Sequence, residues 1–100
     1  MNIAKTGADP SHVFLDMPVP AGTRVRMGLM RFRTGERVPV SGMSLHQGTE
    51  TSYVLKGSLA VTAGGETLTA NAGDLVSIPP GEGHYTQVLT DAAVVYLLVE

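Results

Sequence analysis

The sequence predicts an all-β protein with a single domain, and three observations support this prediction. Twelve glycines and six prolines in 100 residues leave few windows long enough for an uninterrupted helix. Valine and threonine, with twelve and ten copies, are abundant, and both favour pleated strands. Short strand-like runs recur between turn residues, a pattern that in a chain of this length indicates a β-sandwich or a barrel.

Nine short runs have the composition of strands. The paired glycines at 64–65, between two of these runs, favour a two-residue hairpin because glycine accepts the positive φ of such turns. Residues 1–10 carry no comparable pattern, and we expect them to form a flexible arm before a single barrel domain over residues 11–100. The predicted strands span residues 12–16, 23–32, 43–47, 50–56, 58–63, 66–70, 74–78, 84–89 and 92–99.

Composition argues against several classes of protein. A charged fraction of 16% beside 43% hydrophobic residues is not that of a disordered chain. A net charge of -2 argues against nucleic-acid binding, which usually needs a basic excess. The absence of cysteine excludes thiolate metal sites. No apolar run approaches the roughly 18 residues of a membrane span, and the first ten residues do not resemble a signal peptide. We therefore expect a cytoplasmic protein without nucleic-acid or membrane partners.

Three polar residues at strand ends are candidates for a site. His46 ends one predicted strand, Glu50 begins the next after a turn, and His84 opens a later strand behind a turn-rich segment. If all three point into the barrel, two imidazoles and one carboxylate converge, a set that suits divalent iron, manganese, nickel or zinc. The alternative is that each is an ordinary polar residue on a turn.

The period-two alternation of a strand extends this candidate site. Side chains two residues apart share a face, so the neighbours of His46, Glu50 and His84 along their strands are expected to point the same way. On this basis the residues predicted to line the same interior pocket are Ser44, Ser52, Thr86 and Val88.

The spacing of these residues resembles the two motifs of the cupin superfamily. The first motif reads Gly-x5-His-x-His-x3or4-Glu-x6-Gly, and its second half matches His46-x3-Glu50-x6-Gly57. The second motif reads Gly-x5-Pro-x-Gly-x2-His-x3-Asn, and the stretch from Gly73 to His84 matches it through the histidine. The resemblance covers about residues 24–99. It implies a double-stranded β-helix, or jelly-roll barrel, that holds a small organic molecule.

Three positions depart from the cupin pattern. Ser44 stands where the first motif has its first histidine, Val38 replaces its first glycine, and Val88 replaces the final asparagine of the second motif. Cupins often bind metal through two first-motif histidines, the glutamate and the second-motif histidine. The resemblance therefore implies a divalent transition metal ion held by three of these four ligands. Those three residues are His46, Glu50 and His84.

The sequence is compatible with three functions. The resemblance suggests a metal-dependent dioxygenase, isomerase or lyase of a small organic molecule, with metal binding that weakens as the pH falls through the histidine range near 6.5. A metal-free pocket, in which Glu50 bonds the two histidines, would instead serve a ligand-binding module. The third possibility is a structural homodimer, because the run 92–99 is apolar on both faces and is therefore expected to be covered on both.

All five arginines fall within residues 24–37. Arg24 and Arg26 alternate with Val25 and Met27, which favours an interpretation in which the arginines lie on the solvated face of a half-buried strand. The alternative is that this segment receives an anionic substrate or an acidic partner.

Overall fold

The computed structural model describes residues 1–5, 13 and 16–100, and its regular elements are all β-strands. The strands form two antiparallel sheets, which confirms the all-β jelly-roll barrel. In the described part of the chain there is no helix of the length and apolar character that a membrane span requires. The strands are β1 (Asn2–Lys5), β2 (Val25–Phe32), β3 (Arg37–Val38), β4 (Thr49–Lys56), β5 (Ser58–Ala63), β6 (Glu66–Asn71), β7 (Asp74–Ile78), β8 (His84–Val88) and β9 (Ala92–Val99).

The first sheet has five strands in the order β1-β7-β4-β9-β2, and the second has four in the order β3-β8-β5-β6. Alternate side chains of β5 and β7 are buried, because the pleat directs every second residue toward the opposite sheet. The hydrophobic core between the sheets consists of Val54, Leu59, Val61, Ala63, Ala70, Val76, Ile78, Val88, Ala92 and Val94.

The predicted glycine hairpin joins β5 to β6. Gly64 and Gly65 both have positive φ, +59° and +78°, and the flanking residues Ala63 and Glu66 are directly paired. Both central residues of a type I′ turn need positive φ, so this sequence closes the hairpin without backbone strain.

Two segments differ from the sequence prediction. Asn2–Lys5, expected within a flexible arm, is instead strand β1, which pairs with β7 and packs Ile3 against the core. The predicted strand at 43–47 is also wrong: this segment makes a single β-bridge, between Ser44 and His84, beside the short strand β3. Pro39 and the positive φ of Gly42 interrupt any longer pairing along this edge of β8. Most of the predicted strand at 12–16 lies outside the described residues, and residues 13 and 16, which are described, are not in a strand.

Strand β1 is held by a buried carboxylate. Asp74 is only 4% exposed, and its two oxygens accept hydrogen bonds from Lys5 Nζ at 3.0 and 2.9 Å and from the Asn71 amide at 2.8 Å. Burial by itself raises the pKa of Asp74. The amide hydrogen bond and the Lys5 ammonium outweigh burial, so the pKa lies below its ordinary value of 3.8.

Replacing Asp74 with Asn is expected to lower the free energy of unfolding at neutral pH by about 1–2 kcal/mol, because hydrogen bonds to a charged group are lost. A depressed folded-state pKa gives stability that is present above pH 3.8 and lost as the pH falls through the lowered pKa. Urea unfolding of parent and D74N should therefore converge in acid. Lys5→Met removes only the exposed partner and should cost less. A parent–variant difference that is the same at all pH values contradicts this account.

Candidate metal centre

Three segments meet at one end of the cavity between the sheets. Glu50 is the second residue of β4, and its register partners, Ile78 on β7 and Leu98 on β9, hold it within the five-stranded sheet. His84 is the first residue of β8 in the opposite sheet, and His46 lies in the loop before β4. The Oε2 atom of Glu50 lies 3.1 Å from Nε2 of His46 and 3.1 Å from Nε2 of His84. The three predicted ligands therefore converge.

Backbone contacts fix the two histidine segments to each other. Ser44 and His84 exchange both hydrogen bonds of their bridge, at 2.8 and 2.9 Å, and the Gly81 amide donates to the His46 carbonyl at 2.9 Å. Gly48, in the turn between His46 and Glu50, lies so close to β9 that a Cβ there would collide with the Val99 carbonyl oxygen. The site is thus built on constrained backbone, and Gly48 is a structural requirement that the motif spacing alone does not reveal.

The orientation of His84 leaves its Nε2 atom facing the cluster. Its Nδ1 lies 3.3 Å from the carbonyl oxygen of Glu82, so the neutral ring can donate its Nδ1 proton there and present the Nε2 lone pair to the centre. Contact with Glu50 raises the pKa of His84, against the opposing effect of burial. Without metal, His84 therefore holds its proton more strongly than an ordinary histidine.

Glu50 supplies the negative charge of the cluster. Burial raises the pKa of its carboxyl, but the contacts with His84 and His46 outweigh burial and leave the pKa below its ordinary value of 4.5. Oε2 is fully buried, and the polar atoms that contact it are the Nε2 atoms of the two imidazoles, each at 3.1 Å. Burying an ionised carboxylate oxygen is costly, and a cation bound beside it would offset that cost.

These observations fit a metal ion. One donor atom from each of His46, Glu50 and His84 lies within 4.8 Å of the other two, so the three residues can hold one ion. Two imidazoles and one carboxylate on one side of an ion leave positions open for water or a ligand, as in mononuclear centres of iron and zinc.

The site opens into a cavity of about 290 Å³ between the two sheets. Of the predicted lining residues, Ser44, Ser52 and Thr86 do line it. Val88 is not among the lining residues; it is 1% exposed and packs within the core. The remaining wall is mainly apolar.

Sequence reasoning missed two polar residues of the cavity, Arg26 and Tyr96. Arg26 is solvent-exposed, as predicted, but it shares the inward phase of β2 and borders the cavity, whereas Met27 on the outer face is 72% exposed. The sequence feature that indicates the inward orientation of Arg26 lies further along the same strand. Met30 and Phe32 are separated from Arg26 by even numbers of positions, so they share its face, and both line the cavity.

Comparison with solved structures supports the same fold. Salicylate 1,2-dioxygenase from Pseudoaminobacter salicylatoxidans, solved as a G106A mutant in complex with gentisate, superposes with a TM-score of 0.67 at 23% identity, over 74% of this chain and 20% of that chain. A predicted oxalate decarboxylase from Thermotoga maritima gives 0.64 at 25% identity, over 73% and 64%. A putative ethanolamine utilization protein Q from Salmonella typhimurium gives 0.63 at 27%, over 74% and 56%.

The chain thus spans between a fifth and just under two thirds of the length of these neighbours. No curated protein matches the chain. The Cupin domain family matches residues 28–100, a range that includes both motifs, all three converging side chains and strands β3 to β9. On this match, together with the two-sheet barrel and its motif residues, the chain belongs to the cupin family.

Proposed function

We propose that this protein is a small metal-binding cupin that binds, and acts on, a small organic molecule in its barrel. The observation that carries the proposal is the convergence of His46, Glu50 and His84, whose ligand atoms lie within 4.8 Å of one another around a buried carboxylate oxygen. A divalent transition metal ion, iron, manganese, nickel or zinc, would satisfy this oxygen. Once bound, the ion would supply Lewis-acid or redox chemistry to a coordinated ligand.

The residues of the chain have separate roles in this proposal. The Glu82 carbonyl orients His84 through Nδ1, while the backbone bridge to Ser44 holds the strand on which it lies. Ser44 faces the cavity at the position of the missing histidine, and its short side chain leaves that side of the centre open. The apolar walls exclude water from the bound molecule.

The structural neighbours favour small organic acids as the substrate class. One is named as a dioxygenase of salicylate and another as a predicted oxalate decarboxylase. Because the chain spans only part of either neighbour, the proposal leaves the reaction open among dioxygenase, isomerase and lyase chemistry. Cytoplasmic location and the absence of nucleic-acid partners stay predictions from the sequence.

Metal analysis of protein purified without added metal or chelator tests the proposal. We expect near-stoichiometric transition metal in the parent and in Thr86→Val, a matched control that changes another cavity residue without removing a ligand. Metal should be lost in His84→Ala. If the parent contains no metal and takes up none of the four ions on incubation, the metal-free alternative replaces this proposal. If H84A retains metal, the ion is not held by the proposed centre.

We also propose that two copies associate through the outer face of the five-stranded sheet. Val25, Met27 and Leu29 on β2 are 53%, 72% and 45% exposed. The outer face of the four-stranded sheet instead carries polar residues such as Thr62 and Thr67, whose hydroxyls bond each other at 2.7 Å. An exposed apolar patch on the face of a sheet is typical of an association surface.

Light scattering tests the dimer with a matched pair of variants. Met27→Lys places a charge in the apolar face and should shift the protein from dimer to monomer. Thr62→Lys places the same charge on the polar face and should leave the dimer intact. A parent that is monomeric at micromolar concentration, or an M27K variant that stays dimeric, contradicts this assignment.

A further inference from the structure

A single row of residues links an arginine to the candidate metal centre. Arg26 on β2 is the register partner of Leu98 on β9, and Leu98 is the partner of Glu50 on β4. Arg26 and Glu50 both line the cavity, and they are two strands apart. Since neighbouring strands are separated by about 4.8 Å, their Cα atoms are roughly 10 Å apart across the sheet. Arg26, which is solvent-exposed, and the ligand cluster therefore border the same cavity two strands apart.

Arg26 has no carboxylate partner among the described residues. The ion pairs found there use the amino group of Met1, Lys5, His46 and His84 as cations, and none involves Arg26. A guanidinium presents a planar fork of donors that matches a carboxylate in two parallel hydrogen bonds. Arg26 is exposed and borders the cavity, and its guanidinium has no carboxylate of the described residues to compete with a bound anion.

Tyr96 provides a second donor in the next row. It pairs with Gly28, two residues along β2 from Arg26, and its ring lies where a side chain of residue 28 would be. A Cβ on Gly28 would come within 2.5 Å of both Cε1 and the hydroxyl oxygen of Tyr96. The absence of a side chain at Gly28 thus lets the phenol lie flat along β2, on the same cavity face as Arg26.

The rest of the cavity fits an apolar molecular body. Beyond the polar rows, Met30, Val54 and Val94 contribute apolar side chains to the wall. The volume of about 290 Å³ lies just below the range of roughly 300–1,000 Å³ for ligand pockets. A ligand that fills it is small, has an apolar body and carries its charge at one end.

We propose that Arg26, assisted by the Tyr96 hydroxyl, is an anion subsite that takes the carboxylate of a small, mainly apolar organic acid. The other end of this molecule faces His46, Glu50 and His84. Only that second half of the assignment rests on the proposed function, because the Arg26 subsite does not require a metal. With a divalent ion bound, Glu50 offsets one of its two charges, so together with Arg26 the cavity attracts anions.

The test compares a carboxylate with its neutral amide. Isothermal titration of the zinc-loaded protein with benzoate and with benzamide should show tighter binding of benzoate. Arg26→Gln should weaken benzoate binding by about tenfold or more, the loss expected for a charge-assisted hydrogen bond, and should leave benzamide binding nearly unchanged. Arg31→Gln is the matched control, since it removes the same charge from the outer face of the same strand and should leave benzoate binding at the parent value.

Two further variants separate the subsite from general effects. Tyr96→Phe keeps the ring and should weaken benzoate binding by a smaller factor than R26Q. Gly28→Ala should displace the phenol into the cavity and weaken both benzoate and benzamide. Circular dichroism establishes that each variant is folded.

Repeating the titration after metal removal distinguishes this assignment from the proposed function. Benzoate binding to the chelator-treated protein that still depends on Arg26 supports the subsite even if no metal site exists. Three results overturn it: a parent that does not prefer benzoate to benzamide, an R26Q variant that binds benzoate as tightly as the parent, or an R31Q variant that loses as much affinity as R26Q.

Discussion

Replacing Gly57 with alanine is expected to lower the free energy of unfolding by about 3 kcal/mol, a large share of the roughly 5–15 kcal/mol typical of a small domain. Gly57 lies where the chain passes from β4 in one sheet to β5 in the other, with φ at +84°. A Cβ there would collide with the Asp91 carbonyl oxygen and come within 2.8 Å of the Ala92 Cα. Both are backbone atoms, so relief requires β9 to move.

A second glycine allows the cost of backbone strain to be measured apart from the cost of overpacking. Gly65, in the β5–β6 hairpin, also has a positive φ, +78°, but no atom lies within 4 Å of the position a Cβ would take. Gly65→Ala should therefore cost only the backbone strain, about 1 kcal/mol, while Gly57→Ala adds the cost of overpacking. Denaturant unfolding of both variants measures the difference. Equal destabilisation would show that the crossing between the sheets is less tightly packed than the structure indicates.

Replacing Glu50 with Gln is expected to weaken metal binding by about 100-fold or more. Even residues that only support a metal ligand contribute about 10–100-fold to affinity, and Glu50 is the single charged ligand of the proposed centre. Glutamine keeps the size of the side chain and removes its charge. Because the carboxylate is ionised and buried between two imidazoles, the variant loses electrostatic attraction without a large change in packing.

Two changes at Ser44 complete this series. Ser44→Ala should bind metal nearly as well as the parent, since a serine hydroxyl is a weak ligand beside imidazole. Ser44→His should bind it more tightly, because Ser44 faces the cavity on backbone that is bridged to His84. Titration with zinc measures all three variants against the parent. If Glu50→Gln binds zinc as tightly as the parent, the carboxylate is not a ligand.

The convergence of His46, Glu50 and His84 was accessible from the sequence because short-range features determine it. A turn separates His46 from Glu50, a proline- and glycine-rich turn precedes His84, and strand alternation then sets the side-chain directions. The cupin motif spacing added the information that the two turns lie at the same end of one barrel. Neither source indicates how deep the cavity extends, so Val88 was placed in its wall and not in the core.

The errors arose where distant parts of the chain decide the outcome. Strand β1 pairs with β7, and its Lys5 bonds Asp74, a residue 69 positions away, so no local pattern reveals this strand. The predicted inward-facing residues of β2 are opposite to the observed ones, because alternation of charged and apolar residues favours an arrangement with the charged side chains outward. In the structure the cavity accepts Arg26, and the outer face exposes Met27. The alternation of charged and apolar residues along one strand cannot show whether its inner face meets a filled apolar core or a cavity that has polar side chains in its wall.

The central claim is that His46, Glu50 and His84 hold one divalent metal ion. Crystals of the protein grown with manganese or zinc, measured at the absorption edge of that metal, test it most directly. We expect one strong anomalous difference peak about 2.0–2.2 Å from Nε2 of His46, Nε2 of His84 and a carboxylate oxygen of Glu50. No peak among these three atoms, or a peak only at other residues, would contradict the account.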